Sequence, residues 1–304
     1  MSVKPEFKDI RIGVIGGTGF YNLKGLKPIT KLDIDTPWGK PSSPLFISET
    51  ESGHKIAFLA RHGENHERLP TEVNFQANIA ALKHVGVRVV IAFSAVGSLR
   101  EEVRPMDFVI PDQIIDRTKG IRKDTYFGNG LTGHATFGDP YHEPVAQLIK
   151  AHEAALENMK LIKGGTVVAI EGPLFSTRAE SKMYRLWGGD IINMTAVPEA
   201  KLAREAEIAY QMVCMATDYD SWRDEEASVS TTDVLPILKK NSENANKLLV
   251  SLLPALVEKV YSDQQTLEQF TGTSGMFKAS LMQPPALRNP EQVQKLLFMY
   301  PEGF

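Results

Sequence analysis

A chain of 304 residues with 42% hydrophobic content is long enough for one large core, and its 34 basic against 37 acidic residues leave a formal charge of −3. So near a balance excludes a broad electrostatic footprint for nucleic acid or a membrane surface, and any anion must be held by a local site. One cysteine, Cys214, excludes an intrachain disulfide and a cysteine metal cluster, and MSVKPEFKDI lacks a signal-type apolar region. The expectation is a soluble intracellular protein, cytoplasmic with the nucleus as a second compartment.

In chain order, apolar runs predict strands over 10–15 and 56–59, then a helix over 71–85 capped by Thr71, with Val73, Ala77, Ala80 and Leu82 along one face. Strands follow over 87–93 and 108–110, a helix over 144–159, a strand over 166–170 and a helix over 178–187. Two further strands, 190–194 and 208–216, precede the longest helical pattern, 231–261, capped by Thr231 or Thr232. Pro236 falls early enough to be tolerated there, whereas Pro254 should bend or interrupt the helix. Helices interleaved with strands imply an α/β domain covered on both faces. That domain is placed at 8–261, and the Gln-, Pro- and Thr-rich segment 262–304, with scattered apolar residues such as Leu296, Leu297, Phe298 and Met299, is expected to be an appended C-terminal arm.

Chemistry-bearing residues gather where strands end. Gly13, Gly16, Gly17 and Gly19 follow the first strand and let backbone N–H groups approach an anion, with the Thr18 hydroxyl as a further donor. The spacing does not match the dinucleotide pattern G-x-G-x-x-G, and a simple tight turn is an equally good account. Arg61 follows the strand over 56–59 and offers planar donors suited to phosphate oxygens, with His62 and His66 as further donors. Two histidines four apart also fit a metal pair, but Gly63 lies between them in no helical pattern, so an anion site ranks higher. The strand over 87–93 leads into Ser94-Ala95-Val96-Gly97-Ser98, and the strand over 190–194 ends near Asn193-Met194-Thr195. If these strands neighbour one another, four ends converge on a phosphate pocket. Asp218 and Asp220 close the apolar run 208–216; at a strand's two-residue period they share a face, and two acids confined together push one pKa up until that group can deliver a proton near neutral pH. Solvated acids at a strand end are the plainer alternative. Cys214, inside the same apolar run, reads as core.

The motifs IGVIGGTG, LARHGENH, VNFQANI, SAVGSLREEV, DQIIDRT, IEGPLFSTRAES, INMTAVPEA and MATDYDSW together carry a resemblance. The chain resembles the trimeric purine nucleoside phosphorylase group and, within it, the methylthioadenosine phosphorylases. The resemblance implies a single nucleoside phosphorylase-like domain with a central mixed sheet flanked by helices. It further implies a pentosyltransferase that uses inorganic phosphate to release adenine, with neither metal nor organic cofactor. Residue by residue, it assigns phosphate to Thr18, Arg61, His62, Ser94, Ala95 and Thr195. Met194 lies under the ribose with Asn193 beside it, and Phe175, Ser176, Asp218 and Asp220 hold the base. Asp218 protonates N7 and Asp220 accepts from the exocyclic amine, although a coupled pair titrates as a unit and the proton cannot be assigned from sequence. The 5′-thioether slot draws on Thr231, Val234 and Leu235, and on His134 from a neighbouring subunit, which makes the active unit a homotrimer.

Three positions depart from the family's common pattern. Ser94 replaces a threonine and keeps the hydroxyl, Leu174 replaces a frequent arginine, and Thr231 makes the thioether slot slightly more polar than valine does. Two other functions stay in view. One is a purine nucleoside phosphorylase acting on inosine, guanosine or adenosine, disfavoured for the 6-oxopurines by an aspartate at 218; the other is a catalytically silent nucleoside-binding protein.

Overall fold

The computed structural model describes residues 4–18, 20, 23, 25–118, 120–224 and 231–304, with Thr231 and Asp233 described by backbone alone. The longest apolar runs become the middle of a mixed sheet. Its strands are β1 (Ile12–Gly16), β2 (Lys27–Leu32), β3 (Leu45–Glu49), β4 (Lys55–Ala60), β5 (Val89–Ser98), β6 (Phe108–Ile110), β7 (Gln113–Asp116), β8 (Leu161–Lys163), β9 (Thr166–Ala169), β10 (Ile191–Asn193) and β11 (Ala209–Asp218). β1 is buried throughout and β5 and β11 nearly so, as their continuous hydrophobicity requires of strands covered on both faces. The path β2-β3-β4-β1-β5-β10-β9-β7 is joined by β11, which pairs with β5 and β6, and by β8, which pairs with β6.

Helices cover both faces: α1 (Phe75–His84), α2 (Glu143–Lys150), α3 (Arg178–Leu186), α4 (Ala196–Glu205) and α5 (Thr231–Tyr261). Side chains of α1 and α4 pack one large core, and those of α2 and α5 pack another on strand residues of opposite alternation. The expected cap of α1 is corrected. Asn74, not Thr71, accepts from the Ala77 amide at 3.2 Å, while its own amide donates to the Trp38 carbonyl at 2.8 Å and so fixes the preceding loop. α3 opens as expected, on a Thr177/Glu180 capping box. α5 runs through Pro254 without interruption; the carbonyl that loses its donor is that of Val250, on the exposed face, where water can bond it. The edge strand β2, its neighbour β3 and the short β7 and β8 were not expected, because a Pro-containing, half-exposed run such as KPITKL lacks a continuous apolar signature.

The segment after Ser262 is more ordered than its composition implies. It forms α6 (Gln264–Thr271), α7 (Met276–Ser280) and α8 (Pro290–Leu296). Phe277, Leu296, Met299 and Tyr300 are buried in the core that includes α1 and α4, and Leu267 in the core under α5. A few large apolar side chains at wide spacing suffice to seal a helix face, although they leave the segment's mean composition polar.

Candidate active site

Pairing of β5 explains why the site lies where it does. One edge of β5 is parallel to β1 up to Phe93 and then antiparallel to β10 from Gly97, so residues 94–96 on that edge are handed from one neighbour to the other. At such a switch point the flanking chains diverge and leave a crevice. The Gly17 amide closes one side by donating to Phe93 O at 3.0 Å, and Asn193 closes the other, donating to Ser94 Oγ at 2.8 Å and Ala95 O at 3.2 Å. The opposite edge of β5 follows β11 in parallel to a bulge between Ala216 and Asp218, which sets Asp218 beside Gly97. A Cβ on Gly97 would lie 3.1 Å from Asp218 Oδ2 and 2.8 Å from an Ile192 methyl, so glycine is required there.

The crevice deepens into a cavity of about 740 Å³. It is lined by Thr18, His62, Ser94, Ala95 and Thr195, by Phe175, Ser176, Asp218 and Asp220, and by Asn193 and Met194. Val234 and Leu235, on the first turns of α5, complete an apolar side. Thirteen of the sixteen residues assigned from the sequence therefore line one space, and two of the remaining three do not. The side chain of Thr231 lies outside the described residues, as does Gly19. His134 lies elsewhere, its amide donating to Ser280 O at 2.9 Å beside α7.

Arg61 is the third and the chief correction. Its guanidinium is fully buried against Glu199, with Nε and Nη2 each 2.7 Å from a carboxylate oxygen and Nη1 donating to Phe93 O at 3.1 Å. Tyr210 donates to the same carboxylate at 2.7 Å. The bidentate fork that suits phosphate is thus taken by an internal anion, and a Cβ on Gly17 would lie only 2.5 Å from Nη1. Arg61 therefore props the glycine turn from beneath and does not face the cavity. Glu199 follows the expected strand end in INMTAVPEA, and only the fold reveals α4 there, since Pro198 and small alanines hide a helical pattern.

His62 is corrected in chemistry rather than place. Burial, reinforced by the Arg61 charge, lowers its pKa to about 4, so it is neutral near pH 7. Its Nδ1 lies 2.9 Å from the Arg68 carbonyl, which can only accept; the ring proton is therefore committed and Nε2 remains as an acceptor, suited to a protonated phosphate oxygen. His66, expected as a further donor, packs 4.7 Å from the His62 ring and lines the cavity; Arg68, Leu69 and Pro70 line it too and were not singled out by the strand-end argument.

A turn brings the two acids together, not strand alternation. Asp220 has φ 44°, a left-handed conformation that aspartate tolerates, and its amide donates to Asp218 Oδ2 at 2.8 Å. Asp218 Oδ1 accepts from the Thr217 hydroxyl at 2.6 Å. Burial raises the pKa of Asp218 against these two donors; it pushes Asp220 up to about 6, with the nearby Ser181 hydroxyl opposing. Asp220 Oδ2 and the Ser176 and Ser181 hydroxyls are buried and make no well-aligned hydrogen bond among the described residues, although both hydroxyls lie near enough to Asp220 to oppose its rise. Unmet polar groups at one end of an apolar-walled cavity fit a flat, polar-edged ligand. Cys214, fully buried with its pKa driven up by burial, is core as expected.

A mixed sheet with hydroxyl-bearing strand ends and two buried acids lining one cavity is the frame of an enzyme site, and the chain belongs to the phosphorylase superfamily, whose family profile matches residues 11–254. It is similar along nearly its whole length to S-methyl-5′-thioadenosine phosphorylases. That of Neurospora crassa is 52% identical over 298 residues, covering 97% of this chain and 95% of that protein. That of Yarrowia lipolytica is 50% identical over 303 residues, covering 97% and 93%. Among solved structures, a methylthioadenosine phosphorylase from an antarctic soil metagenomic library superposes with a TM-score of 0.86 at 39% identity, covering 96% of this chain and 99% of that one. The Schistosoma mansoni enzyme in complex with adenine gives 0.82 at 31% identity, covering 90% and 99%.

Proposed function

We propose that the protein catalyses phosphorolysis of S-methyl-5′-thioadenosine to adenine and 5-methylthioribose 1-phosphate, a pentosyl transfer in methionine and purine salvage. The observation that carries this reading is that Thr18, Ser94 and Thr195 line the same cavity as Asp218 and Asp220. As the C1′–N9 bond breaks, positive charge grows on the ribose and negative charge on the base. A phosphate oxygen held by the hydroxyls and turn amides attacks C1′, the bond pair passes into the purine, and the acidic pair delivers a proton to N7. The two roles expected from the resemblance are exchanged in this reading: Asp218, already accepting from the Thr217 hydroxyl and the Asp220 amide, is taken as the acceptor for the 6-amino group, and Asp220, pushed up to about 6 by burial, as the proton store.

Phosphate is a co-substrate in this reading, and no cofactor is invoked. The assembly is taken as a homotrimer, supported by His134, which stands away from its own chain's cavity as a residue serving a neighbouring subunit must. A cytoplasmic location, with the nucleus as a second compartment, belongs to the same reading. Adenosine is a second, slower substrate: beyond Val234 and Leu235 the α5 side of the cavity turns polar at Lys239, Ser242 and Glu243, where a 5′-hydroxyl can be accommodated.

The test incubates the protein with methylthioadenosine, adenosine and inosine, with and without phosphate, and follows free base. Adenine should appear from methylthioadenosine only when phosphate is present; release without phosphate marks a hydrolase and ends the reading. A pH profile checks the proton store. A carboxyl raised to about 6 holds its proton below that pH and loses it above, so kcat/KM at saturating phosphate should fall as pH rises through about 6. Asp220→Asn should remove that limb, and a profile that keeps it rules Asp220 out.

A further inference from the structure

We propose that Arg122 is a positioning residue for this reaction, locking the base-side loop to the ribose-side and phosphate-side turn through three backbone carbonyls. Nη1 donates to Met194 O at 2.7 Å and to Val197 O at 2.8 Å, and Nη2 donates to Glu171 O at 2.7 Å. Glu171 begins the loop that leads to Phe175 and Ser176, just beyond the end of β9; Met194 and Thr195 follow β10. Val197 has φ −120° and ψ 142°, as a residue before proline prefers, which turns its carbonyl out of the α4 ladder and toward the guanidinium. A planar fork with five N–H groups can hold three carbonyls of two different loops at once, which a lysine ammonium does only from a single point. Arg122 Nε is buried without a partner among the described residues, and the guanidinium lies 5.6 Å over the Phe75 ring, so its place is fixed by the carbonyls and the ring.

The loop carrying Arg122 is itself anchored. Thr125 Oγ1 and the Tyr126 amide donate to Glu205 at 2.6 and 2.5 Å, Lys201 holds Asp116 at 2.8 Å and Asp124 at 2.7 Å, and Gln292 of α8 donates to Tyr126 O at 2.7 Å. Through Gln292 the C-terminal segment becomes part of the buttress. The two loops that Arg122 joins bind different halves of the reactants. Each half can bind alone without the clamp, but the two are held in attack geometry only when the loops are tied together.

The inference rests on the phosphorolysis reading, and the two fail separately. Adenine and phosphate affinities are measured one ligand at a time, alongside turnover of methylthioadenosine, for wild type, Arg122→Lys and Arg122→Ala. The expected result is a loss of about 100-fold in kcat for Arg122→Ala, with each single-ligand affinity within about threefold of wild type. Added guanidinium ion should restore at least about tenfold of that turnover, and Arg122→Lys should fall between the two proteins. If Arg122→Ala does not fold, Arg122→Lys decides: lowered kcat with kept affinities supports the clamp. Wild-type turnover in either variant overturns it, as does a parallel loss of both affinities that guanidinium does not relieve. A wild type that releases no adenine overturns the activity itself and this inference with it.

Discussion

Arg61→Ala should destabilise the protein before it does anything to phosphate, lowering the unfolding free energy by about 3–5 kcal/mol in a denaturant titration. The reason is the Glu199 carboxylate, fully buried, which among the described residues keeps only Tyr210 as a hydrogen-bond donor when both guanidinium bonds go. A loss that size is a large part of the stability of an ordinary folded chain. The double variant Arg61→Met/Glu199→Leu should recover most of the lost stability, because two apolar groups leave no unpaired charge in the core. Phosphate KM should stay raised in the double variant, since nothing then props the glycine turn under Thr18. An Arg61→Ala protein as stable as wild type would show that the buried pair is not formed, and a normal phosphate KM in the double variant would free the turn from its dependence on Arg61.

The acidic corner gives the other large effect. Asp220→Asn should cost roughly two to four powers of ten in kcat/KM for methylthioadenosine, the usual range for removing a positioned proton donor. Asp218→Asn should act on selectivity as well as rate: an amide can donate to a 6-oxo group where a carboxylate accepts from a 6-amino group, so the preference for methylthioadenosine over inosine should narrow. Equal proportional losses on both substrates in Asp218→Asn would remove that residue from base reading. Full activity in Asp220→Asn would place the proton elsewhere.

How much of this was legible in the sequence depended on the range of the interaction. Strands β1, β4, β5, β9, β10 and β11 announce themselves by continuous hydrophobicity, because a strand buried on both faces leaves no room for polar alternation. Their small and hydroxylated exits mark part of the cavity lining for the same local reason. Arg61 misled because a guanidinium after a strand looks alike whether its partner is a ligand or a glutamate 138 residues away. α4 was concealed behind Pro198, and the segment after Ser262 behind its polar composition. Asp218 and Asp220 were paired correctly but for the wrong cause, since alternation along a strand and a left-handed turn both set residues two apart side by side.

By itself, then, the sequence determined the α/β class, many of the residues that line the cavity and the pairing of two acids there, all of them features encoded in short runs whose chemistry is visible residue by residue. Only the tertiary structure decided that Arg61 faces inward, that burial keeps His62 neutral near pH 7 and raises the pKa of both Asp218 and Asp220, and that Arg122 ties two loops together. Those properties come from burial and from partners distant in the chain. Desolvation and long-range hydrogen bonds have no signature in a local pattern, because they exist only once the strands of the sheet have chosen their neighbours.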